Sequence, residues 1–275
     1  MIIPFYKMTG AGNDFVMVDN RDLALSHILT RENIARLCNR RFGIGADGLI
    51  AIEPARNDGD VRMRYYNADG GEAEMCGNGA RCFTAFVSLL SGGSITELCF
   101  ETLAGLVRGQ VNADGSVSIC LTEPKGLKLN LLPADDIIPS PIHFLNTGVP
   151  HAVAFLPGVE GLDLLTMGAY LRYHRAFAPA GTNADFATVI SPQHLRLRTY
   201  ERGVEGETLA CGTGITATAL LHAVLTGAAS PIRVDVAGGD TLSVSFIRTG
   251  DAGFTDVTLT GPATIVFRGE ISVPS

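Results

Sequence analysis

The sequence predicts an α/β (α+β) protein of two pseudo-symmetric domains, each a curled, mostly antiparallel β-sheet or barrel around one buried central helix. Three observations carry this expectation. The pattern Cys-Gly-x-Gly occurs twice, as Cys76-Gly77-Asn78-Gly79 and as Cys211-Gly212-Thr213-Gly214. Each opens an apolar run that ends in a glycine, Gly92 or Gly227, at the same offset of sixteen residues from its cysteine. Short segments of strand character flank both runs in the same order, as expected of a duplicated unit.

Taken in order, the N-terminal half first offers Thr9-Gly10 before the strand-like Phe15-Val16-Met17-Val18, then the alternating Arg62-Met63-Arg64-Tyr65-Tyr66-Asn67. A helix follows over Ala80 to Ser91, rich in Ala, Phe, Leu and Val, with Gly92 as its left-handed cap. Strands are expected at Leu106 to Val111 and Ser116 to Leu121. The second half repeats the sequence of signals. Thr147-Gly148 precedes Ala152-Val153-Ala154-Phe155, and Arg196-Leu197-Arg198-Thr199-Tyr200-Glu201 matches residues 62–67 at an offset of 134, one short of the 135 between the cysteines. One inserted residue therefore separates strand from cysteine. The second helix, Ile215 to Thr226, is apolar nearly all round, and a helix without a polar face is normally wrapped by other structure. Strands at Ile232 to Val236, Thr241 to Ile247 and Phe254 to Leu259 close the reading. The expected domains are residues 1–121 plus 264–275, carrying Cys76, and residues 122–263, carrying Cys211.

Composition narrows the function classes. The chain has 275 residues, 46% hydrophobic and 18% charged, which suits one large or two medium packed domains and not a disordered chain. The net charge of −7, with no block of like charge, argues against nucleic acid and for a small polar ligand. The N-terminus, Met1-Ile2-Ile3-Pro4-Phe5-Tyr6-Lys7, has neither the basic region nor the long apolar region of a signal peptide, and no run reaches the ~18 apolar residues of a membrane span. A cytoplasmic protein with no membrane partner is expected, and a homodimer is compatible with this reading. Six cysteines in so long a chain are too sparse for a disulfide scaffold, and neither a Cys-x-x-Cys nor a His-x-x-x-His pair suggests zinc. Cys38, Cys82, Cys99 and Cys120 read as small buried hydrophobes, and His222 as a structural residue of the second helix.

Cys76 and Cys211 stand apart because both mark the same place in the repeat. The first N–H groups of a helix have no internal partner, and the helix dipole puts partial positive charge there. Both effects favour a thiolate over the ordinary thiol. The glycines admit a ligand close to the backbone, whose N–H groups suit a carboxylate. Two such thiols suggest a carbon that is inverted: one removes a proton from one face while the other delivers a proton to the opposite face.

Several motifs resemble diaminopimelate epimerases over essentially the whole chain. They are Lys7-Met8-Thr9-Gly10-Ala11-Gly12-Asn13-Asp14-Phe15, Asn67-Ala68-Asp69-Gly70, Cys76-Gly77-Asn78-Gly79-Ala80-Arg81-Cys82, Glu201-Arg202-Gly203 and Cys211-Gly212-Thr213-Gly214. The resemblance implies interconversion of LL- and meso-diaminopimelate without pyridoxal phosphate or any other cofactor, on the route to lysine and peptidoglycan. It implies Cys76 and Cys211 as acid–base thiols, with Gly77, Asn78, Gly212 and Thr213 holding the carboxylate at the reacting carbon. It further implies Glu201 and Arg202 at the far end of the amino-acid substrate, with Asn13, Asn67 and Asn183 completing a polar shell and His151 supporting a thiol. In two places the chain departs from some family members, with Val149 where they carry Asn and Gly48 where they carry Gln. Both departures concern substrate recognition. Two other readings remain at this stage: a two-cysteine racemase for another amino acid such as proline or histidine, and a dithiol redox protein, which would need no Arg202 or asparagine shell. A dinucleotide site at Gly10-Ala11-Gly12-Asn13 is disfavoured, because the third glycine is missing and strand follows where a helix is required.

Overall fold

The computed structural model describes residues 1–250 and 253–273. The chain divides into two units, Met1–Ile119 with Gly261–Ser275, and Cys120–Thr260.

In the first unit the sheet strands are β1 (Ile2–Gly10), β2 (Asn13–Asp19), β3 (Gly48–Pro54), β4 (Val61–Asn67), the short β5 (Glu72–Ala73), β6 (Glu97–Thr102), β7 (Gly105–Val111) and β8 (Val117–Cys120), with helices α1 (Arg31–Cys38) and α2 (Gly77–Leu90). A further edge comes from the far end of the chain, where the last strand, β18 (Thr264–Ser272), pairs antiparallel with β1. From there β1 pairs antiparallel with β2, β2 parallel with β3, β3 antiparallel with β4, and β4 both antiparallel with β5 and parallel with β6. The pairing continues antiparallel from β6 through β7 to β8. Helix α2 packs on β1, β2, β3 and β7.

The second unit holds β9 (Lys125–Leu132), β10 (Ile142–Asn146), β11 (Pro150–Phe155), α3 (Leu164–Arg172), β12 (Asn183–Ser191), β13 (His194–Glu201), β14 (Gly206–Thr208), α4 (Gly212–Thr226), β15 (Ile232–Asp235), β16 (Thr241–Thr249) and β17 (Gly253–Gly261). Its pairing order reproduces that of the first unit. Strand β9 takes the place of β18, and the two parallel pairs are β11 with β12 and β13 with β15. Helix α4 is sheathed by β10, β11, β12, β13, β15 and β16. Every residue from Gly214 to Ala223 is buried, which explains why this stretch can be apolar on all sides. Each buried Leu or Ile here contributes about 1.5–3 kcal/mol of transfer free energy.

Both helices begin three residues earlier than the sequence reading put them, immediately after their cysteines. Gly227 is the left-handed cap of α4 as expected, whereas α2 ends one residue before Ser91 and Gly92 turns left-handed beyond it. One reading of the other cysteines needs correction. Cys38 and Cys82 are buried, and burial pushes both thiols up to about 12, but Cys99 is only partly covered and Cys120 is exposed. Cys120 is the last residue of β8, where alternation points its side chain away from the buried Ile119. Among the described residues no helix is long and apolar enough to cross a membrane.

Candidate active site

In both units the cysteine is the residue immediately before the helix, in extended backbone, with φ −131° at Cys76 and −114° at Cys211. Neither helix carries an acidic residue in its first turn, so nothing on the helix itself offsets the positive end of the dipole. The first intrahelical bonds are Ala80 N–H to Cys76 O and Ile215 N–H to Cys211 O. The N–H groups of Gly77, Asn78, Gly212 and Thr213 therefore precede the helical ladder, in the place from which backbone donors bind a carboxylate.

Around Cys76 the first unit gathers amides. The buried Asn78 donates to Asn13 Oδ1 (2.6 Å) and accepts from Arg81 (2.8 Å), and Asn13 donates to Asp47 (2.9 Å). Behind Asn13, Arg40 grips Asp14 at 2.7 and 2.8 Å, and Lys7 lies 2.8 Å from the same carboxylate. These cations hold the Asp14 carboxyl down at about 2 against the cost of its burial. Asn67 ends β4, is exposed, and accepts from the Tyr65 hydroxyl (2.9 Å). Gly48 pairs with Asn67 across β3 and β4. A Cβ at position 48 would sit 2.4 Å from the Tyr66 carbonyl oxygen and 2.7 Å from the Tyr65 ring, so this chain leaves no room for a side chain there without a shift of β4.

The second unit gathers a different set. Asn183, at the start of β12, accepts from the Arg202 N–H (2.8 Å) and donates to the Pro150 carbonyl (3.1 Å), which fixes the loop carrying Arg202. The Arg202 guanidinium is half-buried and donates to the Ala180 carbonyl (3.2 Å), not to its neighbour Glu201. Glu201 ends β13, and burial raises its carboxyl above the ordinary range. Val149 lies in the turn between β10 and β11.

Cys211 is 9% exposed. Burial pushes its thiol far up, and the carboxylates of Glu201 and Asp185 push it the same way, while the Thr213 hydroxyl and the Gly214 N–H act against them. Its sulfur lies 3.4 Å from Thr213 Oγ1, which lies 2.9 Å from His151 Nε2. His151 Nδ1 is 2.6 Å from Asp185 Oδ2, and the Thr199 hydroxyl donates to Asp185 Oδ1 at 2.7 Å. His151 and Asp185 are both completely buried. The sequence pattern assigns no role to Asp185, and it marks Thr199 only as part of a strand. Strand alternation held the clue, because residues 183 and 185 of β12 share one face, as do 199 and 201 of β13.

This fold class is shared with several solved structures. It matches a PhzF-family phenazine biosynthesis protein from Bacillus anthracis with a TM-score of 0.71 at 16% identity, covering 99% of this chain and 100% of that one. It also matches a probable proline racemase from Agrobacterium radiobacter with a TM-score of 0.67 at 18% identity, covering 99% and 93%. Sequence narrows this class to one family. A family model described as diaminopimelate epimerase matches residues 5–125 and 143–266, and the chain belongs to that family. The diaminopimelate epimerase of Chlorobaculum tepidum is 40% identical over 273 residues, covering 97% of this chain and all of its relative. The family places the chain among isomerases.

Proposed function

We propose that this protein interconverts LL- and meso-diaminopimelate in the cytoplasm, without a cofactor, on the route to lysine and peptidoglycan precursors. The observation that carries the proposal is the family match, which spans both Cys-Gly-x-Gly helix starts and runs nearly the full length of the chain. In this reading one thiolate takes the α-proton while the other thiol supplies a proton to the opposite face. Negative charge then grows on the α-carboxylate, where the backbone N–H groups of Gly77, Asn78, Gly212 and Thr213 would receive it. Glu201 and Arg202 would hold the distal amino-acid head group, Arg202 through paired hydrogen bonds to its carboxylate. Asn13, Asn67 and Asn183 would hold the remaining polar atoms. The buried His151 would support a thiol.

The test is incubation of the purified protein with LL-diaminopimelate, and separately with L-proline and L-histidine, followed by chiral chromatography. Meso-diaminopimelate is the expected product, with proline and histidine unchanged. Inversion of either of those amino acids, with diaminopimelate untouched, would move the chain to a different substrate class.

A further inference from the structure

The two helix starts are alike in backbone but not in what lies behind them. Five residues after its cysteine α4 carries Thr216, whose hydroxyl donates to the Gly212 carbonyl of the same helix (2.9 Å). At the equivalent place α2 carries Arg81, which is completely buried. A guanidinium taken out of water costs several kcal/mol unless its N–H groups are met. The second unit shows that a sheathed helix of this kind folds without one. Arg81 donates through Nε to the Pro262 carbonyl (3.3 Å) and through Nη2 to Asn78 Oδ1 (2.8 Å).

From there a chain of side chains runs outward. Asn78 Nδ2 donates to Asn13 Oδ1 (2.6 Å), and Asn13 Nδ2 donates to Asp47 Oδ2 (2.9 Å). Its direction is fixed at both ends, because a guanidinium only donates and a carboxylate only accepts. Asp47 takes Arg40 on its other oxygen at 2.7 Å. Each amide between these ends therefore turns its oxygen toward Arg81 and its nitrogen toward Asp47. The backbone presses the two amides together. Ala11 and Gly12, with φ of 55° and 94°, form the two-residue turn that sets Asn13 opposite Gly10. Gly10 lies against the first turn of α2, where a Cβ would stand 2.8 Å from the Asn78 carbonyl oxygen.

We infer that Arg81 and Asp47 are positioning residues that lock the polarity of this amide pair, so that Asn13 meets the substrate as an N–H donor and reads a carboxylate oxygen, not an ammonium group. Asn13 buries its oxygen against Asn78, which is 2% exposed, while its nitrogen lies toward Asp47 at the open end of the chain. One hydrogen of Nδ2 goes to Asp47, and the other is what Asn13 has to offer a ligand. An asparagine that could turn round would accept an ammonium as readily as it donates to a carboxylate. Locking it removes that ambiguity for a substrate whose ends carry both groups.

The identity of the ligand rests on the epimerase reading, whereas the lock itself is tested without substrate. Asp47→Asn keeps the shape of the acceptor end. Arg40 holds the oxygen of the new amide, so its N–H2 faces Asn13 Nδ2, donor against donor. With Arg81 fixing the far end the pair cannot turn to relieve this, and the guanidinium unfolding midpoint is expected to fall by about 0.3–0.5 M. The exchange variant Asn13→Asp/Asp47→Asn keeps the net charge and restores donor to acceptor at each link, losing only the 3.3 Å bond from the Asp14 N–H to Asp47. Its midpoint is expected to return to within about 0.1 M of the wild type. An Asp47→Asn midpoint equal to the wild type would mean that the amides turn freely, and an exchange variant no more stable than Asp47→Asn would mean that polarity is not what is lost. Either overturns the lock, whatever the enzyme acts on. Kinetics with LL-diaminopimelate then test what Asn13 reads. The exchange variant presents a carboxylate where the wild type presents an N–H, so KM is expected to rise at least about tenfold with kcat within about threefold. A KM that is unchanged or lower would show that Asn13 meets an ammonium. Failure of the wild type to turn over diaminopimelate would instead count against the epimerase reading, leaving the unfolding result to decide the lock.

Discussion

Cys76 and Cys211 occupy equivalent positions before α2 and α4, yet one is half-buried beside amides and the other lies under cover beside acids and a histidine. The cysteines, the glycines and Thr213 were legible in the sequence because a motif repeated at fixed spacing marks them. Asp185 and Thr199 were not, since a lone acid in an apolar strand shows its purpose only when the partner strand supplies a histidine at the right register. Arg202 lies between these cases. Its motif was visible, but the sequence could not show that Asn183 anchors its backbone or that its guanidinium rests on the Ala180 carbonyl. A guanidinium binds a carboxylate through two parallel hydrogen bonds, whereas an ammonium is a point charge. Arg202→Lys is therefore expected to lower kcat/KM for diaminopimelate by about a hundredfold, roughly 2–3 kcal/mol, despite the conserved charge. Steady-state kinetics near the wild-type value would place Arg202 outside the site.

The elements most visible in sequence were those with a period. Residues 62–67 and 196–201 alternate, and β4 and β13 cover both stretches. Strand β3 escaped notice because Leu49, Ile50, Ala51 and Ile52 are all buried, and a strand covered on both faces does not alternate. Residues 264–275 were expected with the first unit but not as a strand. There β18 pairs with β1 from the opposite end of the chain, a pairing that no local pattern encodes. Close contact between elements was equally hidden. Gly168 on α3 lies against β13, where a Cβ would come 2.4 Å from the Tyr200 side chain. Gly168→Ala should force α3 away from the strand that carries Glu201 and cost about 1–3 kcal/mol of stability. Guanidinium unfolding that gives an unchanged midpoint would show that the helix shifts freely.

At the scale of the whole molecule, the duplicated order of strands and helices was readable because both copies preserve the same punctuation, a Cys-Gly-x-Gly helix start and a glycine after the helix. The family match then supplies what the geometry of either unit alone does not, namely the reaction that two such thiols serve. The central claim is that Cys76 and Cys211 act on opposite faces of one carbon, and isotope uptake tests it most directly. LL-diaminopimelate is turned over in D2O, and both stereoisomers are analysed by mass spectrometry before a tenth of the substrate is consumed. The thiol that delivers the new hydrogen has already exchanged with solvent, while the thiolate that removes the old one holds it on the other face. Two-thiol catalysis therefore predicts deuterium at the α-carbon of the meso product and almost none in the remaining LL substrate. Equal labelling of the two early pools, or inversion persisting near the wild-type rate in Cys76→Ala or Cys211→Ala, would contradict it.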